Sequence, residues 1–146
     1  MNIKEFMAQD HKDCDLIFAQ AEATASAEDW GSATRAVGNF IKAMERHLDI
    51  EEIELFPAFE EKTGMTMGPT QMMRMEHDQM RALFTEMRNA IEEKQSDNYL
   101  DIAETLLILM QQHNMKEEQI LYTMMDQHLS DESDYFHQKL LDWNKD

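Results

Sequence analysis

Residues 47–56 read HLDIEEIELF and residues 113–122 read HNMKEEQILY. The two stretches are 66 residues apart (113 − 47 = 66), and the same offset carries their surroundings. Phe40, Ile41 and Met44 become Leu106, Leu107 and Met110, while Glu51, Glu52, Leu55 and Phe56 become Glu117, Glu118, Leu121 and Tyr122. Further upstream, Met7, His11, Ile17 and Phe18 become Met73, His77, Leu83 and Phe84, so DHKDCDLIF aligns with EHDQMRALF (77 − 11 = 66). Self-similarity at a fixed period marks a duplicated supersecondary unit. Here the unit is a helical hairpin with a lone histidine on its first helix and His-x-x-x-Glu on its second. Two such hairpins packed about a pseudo-twofold axis bring those residues together.

The rest of the chain agrees with helix. Four glycines and two prolines in 146 residues leave long uninterrupted stretches rich in Met, Ala, Leu, Glu and Gln. Punctuation is densest at 24–30, 62–69, 95–98 and 129–133, which delimits four long helices and a short tail. Ser26 and Ser96 are expected as N-caps and Pro69 in the first turn of the third helix. Apolar stripes such as Met7, Leu16, Ile17 and Phe18, or Phe40, Ile41, Met44 and Leu48, give each helix one buried face. Short connections then make neighbours antiparallel. The expected fold is all-α: an up-down four-helix bundle built from two repeated hairpins, with a small outer helix over about 131–143. One domain is expected over 1–146, with the bundle core at about 1–128.

Charge and hydropathy narrow the function. Thirty acidic against thirteen basic residues give a net charge of −17, and such a surface repels phosphate backbones and anionic lipid headgroups. No nucleic-acid or membrane partner is expected. The most apolar run, TLLILM at 105–110, falls far short of the roughly 20 residues that span a bilayer. A single cysteine, Cys14, forms no internal disulfide, and the first residues lack an apolar stretch of signal-peptide length. A reduced, cytoplasmic setting is the expectation.

Residues four apart lie on one helix face, so His47 points with Glu51 and His113 with Glu117. With His11 and His77 also turned inward, the interior would hold four imidazoles and two carboxylates, which cannot be buried without something to satisfy them. A metal centre satisfies them. Six nitrogen and oxygen donors exceed the four of a structural zinc site and suit two ions bridged by both carboxylates, with two histidines on each. Imidazole with carboxylate suits iron, and exogenous oxygen ligands complete each shell. His128 and His137 have Lys62 and Gln71 as repeat partners and are left out.

Asp10 and His11, the H-x-x-x-E-E-x-x-L-F-P of His47 to Pro57, the M-x-x-E-H of Met73 to His77, and the H-x-x-x-E-E-x-x-L-Y of His113 to Tyr122 resemble the hemerythrin-like, or HHE cation-binding, family of non-haem di-iron proteins. The resemblance covers roughly the first 125 residues. It implies two iron ions, terminal ligands at His11, His47, His77 and His113, bridges at Glu51 and Glu117, and an oxo or hydroxo group between the metals. Oxygen-carrying members bear a further histidine where Met73 stands and use His-x-x-x-x-Asp on the last helix, so this chain is closer to the bacterial branch that includes iron-centre repair and nitric-oxide-responsive proteins. Unlike those repair proteins, it is read as beginning at the bundle itself.

The implied function is binding of a small diatomic, dioxygen or nitric oxide, at the iron pair for sensing, binding or redox chemistry. The alternatives are a di-iron oxidoreductase acting on peroxide or nitric oxide with an electron donor, and an iron store that donates to an acceptor protein. Glu52 and Glu118, about 100° round the helix from the bridging positions, are expected at the surface or behind the ligands, with Glu52→Ala harmless. Asp10 and Glu76 read as solvated acids ahead of the alternative that they orient ligands from behind, and Cys14, one turn from His11, as a small apolar residue ahead of a pocket group. Met44, Met80 and Met110 read as pocket wall, while Tyr122 is placed to hydrogen-bond a bound oxygen species but its repeat partner Phe56 argues for packing.

Overall fold

A computed structural model describes residues 1–143. Helix α1 runs Ile3–Ser26 and α2 runs Trp30–Ile50, after which a π-helical turn at Glu51–Leu55 leads without a break into α3, Phe56–Thr63. The second half repeats the plan: α4 at Pro69–Glu92, α5 at Ser96–Lys116, a π turn at Glu117–Leu121, and α6 at Tyr122–Leu129. Counting α2 with α3 and α5 with α6, four long helices pack as an antiparallel bundle, α1 against α2 and α5, and α4 against α5 and α2. A last helix, α7 at Ser133–Asp142, lies outside against α1 and α2 and buries Phe136 and Leu140. Of the tail helix expected over 131–143, all positions are described.

The duplication extends to the backbone of the turns. Glu28 and Lys94, equivalent by the 66-residue offset, both adopt φ 57°. In each hairpin the two residues after the C-cap bond back, Glu28 to Ala25 and Asp29 to Thr24 beyond Ala27, then Lys94 to Ile91 and Gln95 to Ala90 beyond Glu93. That paired pattern is a Schellman motif, which satisfies carbonyls the helix leaves open. The serines act differently from expectation. Ser26 ends α1, and the N-cap of α2 is Asp29, whose carboxylate accepts from the Ser32 amide. Ser96 is the first residue of α5, and its hydroxyl instead donates to the Ala25 carbonyl at 2.9 Å, tying the two turns together. Pro69 does open α4. Leu16 departs from the expected stripe: Phe18 and Met7 are buried, whereas Leu16 faces solvent.

The apolar interior forms two clusters. One, towards the hairpin turns, contains Cys14, Phe18, Phe40, Met44, Met80, Phe84 and Met110. The other, towards the opposite end, contains Met7, Ile50, Leu55, Phe56, Met73, Leu121 and Tyr122. On each long helix a buried histidine lies where one cluster gives way to the other: His11 between Met7 and Cys14, His47 between Met44 and Ile50, His77 between Met73 and Met80, His113 between Met110 and Leu121. A polar layer therefore cuts the core in two, held from both sides by close-packed side chains.

Candidate metal centre

All four histidines in that layer are buried, and Glu51 and Glu117 are fully so. The π turns orient these acids and the aromatic residues five positions further on. At each, the amide five residues on bonds back to the glutamate carbonyl, Phe56 to Glu51 and Tyr122 to Glu117. Residues five apart in an α-helix point about 140° away from each other. The wider π turn cuts that angle, which brings Tyr122 to the face of Glu117.

Every histidine is held from behind by a carboxylate on its Nδ1. His11 pairs with Glu118 at 2.7 Å and His77 with Glu52 at 2.6 Å, while His47 pairs with Asp10 and His113 with Glu76, each at 2.8 Å. The four bonds form two equivalent sets under the repeat. An ionised carboxylate only accepts, so each Nδ1 carries a proton, and a ring in its neutral form turns the lone pair of Nε2 towards the centre. Such outer carboxylates fix the tautomer and orientation of a metal-binding imidazole and raise its basicity. Asp10, Glu52, Glu76 and Glu118 thus stand behind the rings, which corrects the solvated reading of Asp10 and Glu76 and places Glu52 and Glu118 in one of the two positions expected of them. The signal was present in the sequence as the repeat pairs Asp10/Glu76 and Glu52/Glu118, but only packing shows which histidine each one meets.

The Nε2 atoms meet the inner acids. His11 lies 3.1 Å and His113 3.2 Å from Glu117 Oε1, and His77 lies 3.1 Å from Glu51 Oε1. His47 is 3.7 Å from Glu51 Oε2. Several of these approaches have the distance of an ion contact without the angle of a hydrogen bond. Glu51 Oε1, His77 Nε2, His113 Nε2 and Glu117 Oε2 are buried with no hydrogen-bond partner. With the rings neutral, lone pairs facing carboxylate oxygens in a dry core repel, and an unmade bond costs about 1–3 kcal/mol per group, more for charged ones. A cation between them removes the conflict.

Two overlapping donor sets are spaced for one. Ligating atoms of Glu51, His77, His113 and Glu117 lie within 4.8 Å of one another, and so do those of His11, His47 and Glu117. Glu117 belongs to both. The sequence-derived set of His11, His47, Glu51, His77, His113 and Glu117 is thus gathered in one place. His128 and His137 are not part of it, standing against Phe59 and Phe6.

The model of the hemerythrin HHE cation-binding domain matches residues 2–125. The chain belongs to that family. No curated protein and no solved structure matches it. The HHE chain keeps a buried His/Glu cluster at the centre of the matched region, and that cluster is a metal-binding site by donor type, spacing and unsatisfied atoms.

Protons take the cation's place in the metal-free protein. Burial alone would lower the pKa of His11, but Glu117 and Glu118 outweigh it and raise the ring to about 10. For His77, burial is outweighed by Glu51 and Glu52, and the value rises to about 9. Glu52 feels the reverse: burial opposes ionisation, and the bonds from His77 and Arg81 override it and hold the carboxyl at about 2. Burial and the neighbouring Glu117 charge push Glu51 up. Burial works against Glu117 as well, but His113 and His11 hold it well below the usual carboxylate range.

Sequence reasoning weighs Tyr122 and ranks packing first, and the structure places it in the site. Its hydroxyl is buried in the site, 2.6 Å from Glu51 Oε2 and 2.9 Å from Glu117 Oε1, with His11 Nε2 at 3.3 Å and His47 Nε2 at 3.4 Å. Burial beside two carboxylates drives the phenol pKa well up, so it keeps its proton. Phe56 stands at the equivalent place in the other half and stacks on His77. Cys14, by contrast, packs in the apolar cluster near the turns, and burial raises its thiol pKa. No helix among the described residues is long and apolar enough to cross a membrane.

Proposed function

We propose that this protein holds two iron ions, one at His11 and His47 and one at His77 and His113, with Glu51 and Glu117 shared, and that the pair binds dioxygen or nitric oxide. The observation that carries the reading is the pair of overlapping donor sets that meet at Glu117. Two neutral imidazoles per ion with shared carboxylates suit iron in N/O coordination. Bound iron supplies redox activity and open coordination positions for a small ligand.

The chain's own groups prepare the site. Asp10, Glu52, Glu76 and Glu118 hold the four rings with Nε2 inward. Met44, Met80 and Met110 on one side and Met7, Met73 and Leu121 on the other keep bulk water out. Tyr122 brings a hydroxyl proton to the centre of the cluster. With one proton to give, it donates to Glu51 or Glu117 but not to both at once. The Tyr122 proton favours a second reading, in which the same centre reduces peroxide or nitric oxide with electrons from a protein donor.

Metal analysis of protein made in iron-supplemented medium, with spectra of the reduced protein before and after nitric oxide or air, tests the reading. Two irons per chain and a spectral change with the diatomic are expected. Zinc alone, or no metal, overturns it. Multiple turnovers with a chemical reductant would favour the oxidoreductase.

A further inference from the structure

Three of the four outer carboxylates are clamped by a basic residue, and the fourth is not. Arg46 donates to Asp10, Arg81 to Glu52, and Lys116 to Glu76. Glu118 accepts from His11, and among the described residues no lysine or arginine lies within ion-pair distance of it. The repeat accounts for the difference: the position equivalent to Arg81 is Asp15 (81 − 15 = 66), an acid where the other half has a guanidinium. Glu45 and Asp49, which hold Arg81 in place, have Gln111 and Met115 as counterparts. The Glu118 side chain is 35% exposed, against 22% for Glu52, 15% for Glu76 and 4% for Asp10.

A cleft of about 510 Å³ opens at this unclamped corner, between α1 and α5. Lys12, Asp15, Gln111, Asn114 and Glu118 line it, and His11 is on its floor. Two other clefts touch an outer carboxylate, Asp10 in one and Glu76 in the other, but neither reaches any of the four central histidines. Directly behind His11, Glu117 is fully buried and its Oε2 has no partner. The cleft therefore stops one imidazole short of an unsatisfied carboxylate.

Building on the metal-centre reading above, we propose that metal ions enter and leave the centre at its His11 end, through the α1/α5 cleft, with Glu118 as the mobile gate. Carboxylate and amide oxygens on the walls suit a partly hydrated divalent cation. Swinging Glu118 outward breaks its one bond to His11, whereas moving Glu52 breaks bonds to both His77 and Arg81. Of the two equivalent corners, the His11 corner opens at lower cost, and His11 is then held only at Nε2, by Glu117 and the Tyr122 hydroxyl.

The test is the rate at which metal-free full-length protein takes up cobalt(II), followed by its visible absorption, and the rate at which a chelator strips it. Asp15→Arg installs at this corner the clamp that Arg81 provides at the other. It is expected to slow uptake and release by about tenfold or more, through the guanidinium's hold on Glu118 and its repulsion of the cation, while the final stoichiometry stays as in wild type. Asp101→Arg makes the same change of charge farther along α5 and is expected to behave as wild type. Glu118→Ala removes the gate and is expected to speed uptake as well as release, whereas loss of support for His11 alone would speed release only. Wild-type rates in Asp15→Arg, or equal slowing in Asp101→Arg, would overturn the route and leave the metal centre standing. Failure of wild-type protein to bind cobalt(II) would overturn the centre itself, and the route with it.

Discussion

The hydroxyl of Tyr122 lies 2.6 Å from Oε2 of Glu51, a residue of the other hairpin, at the place where the two halves of the repeat meet. The contact breaks the pseudo-symmetry, because the equivalent position is Phe56. Tyr122→Phe leaves a buried carboxylate oxygen without its donor, at a cost of about 1–3 kcal/mol. The loss should appear in denaturant melts of metal-free protein and shrink once metal is bound, since a cation can satisfy Glu51 instead. An equal loss in both forms would mean that the hydroxyl only fills space.

The inner and outer carboxylates should separate by degree. Glu51→Ala or Glu117→Ala removes a shared donor, and metal content should fall well below wild type. Glu52→Ala leaves the six donors in place but frees the Nδ1 of His77, and loss of such a supporting group commonly costs 10–100-fold in metal affinity. Competition with a metal chelator measures both. Wild-type affinity in Glu52→Ala would show that the 2.6 Å bond to His77 does not orient the ring.

The histidine shifts make metal binding depend on pH in a fixed direction. His11 at about 10 and His77 at about 9 lie above the ordinary 6.5, so in metal-free protein their bound protons stabilise the fold fully below about pH 6.5. That stability fades as pH rises through 9 to 10. A metal must displace the same protons, so apparent affinity should rise steadily from pH 6 to 9, with proton release detectable by an indicator dye in weak buffer. Glu52, held at about 2, adds stability that is present above its ordinary 4.5 and lost as pH falls towards 2.

Lys94 sits at φ 57° in the turn between α4 and α5, a conformation that strains a side chain and suits glycine. Lys94→Gly should stabilise the protein by about 0.5–1 kcal/mol, the relief of strain being partly offset by the freer unfolded chain. A thermal melt reads it, and metal content should not change.

Phe84→Ala, in the cluster nearest the turns, should cost about 3–5 kcal/mol through the cavity it leaves. At temperatures where the variant is folded, metal stoichiometry should match wild type, since Phe84 meets Phe40 rather than the donors.

Much of the plan was legible in the residues. The 66-residue offset, the helix breaks and the inward spacing of His47 with Glu51 and His113 with Glu117 follow from periodicity, and periodicity is a property of the chain. His11 and His77 became visible as a pair because duplication placed them in register. Because its repeat partner is Phe56, Tyr122 reads as packing in the sequence. Counted along an α-helix it faces away from Glu117, and only the π turn brings it round. The serine caps failed because the Schellman turns had already moved the start of α2 to Asp29 and because Ser96 found a carbonyl on a neighbouring turn.

What the chain determined by itself is the material: two copies of one hairpin, with six nitrogen and oxygen donors at helical spacing on apolar faces. What tertiary structure decided is which groups oppose one another. Asp10 reaches His47, Glu76 reaches His113, and Glu118 reaches His11 across 107 residues. Those bonds set the direction of every ring, and they depend on interhelical distance and rotation, which no single helix specifies. The unclamped corner at Asp15 and Glu118 has the same origin. The substitution that marks it is written in the repeat, but its consequence exists only where α1 and α5 meet.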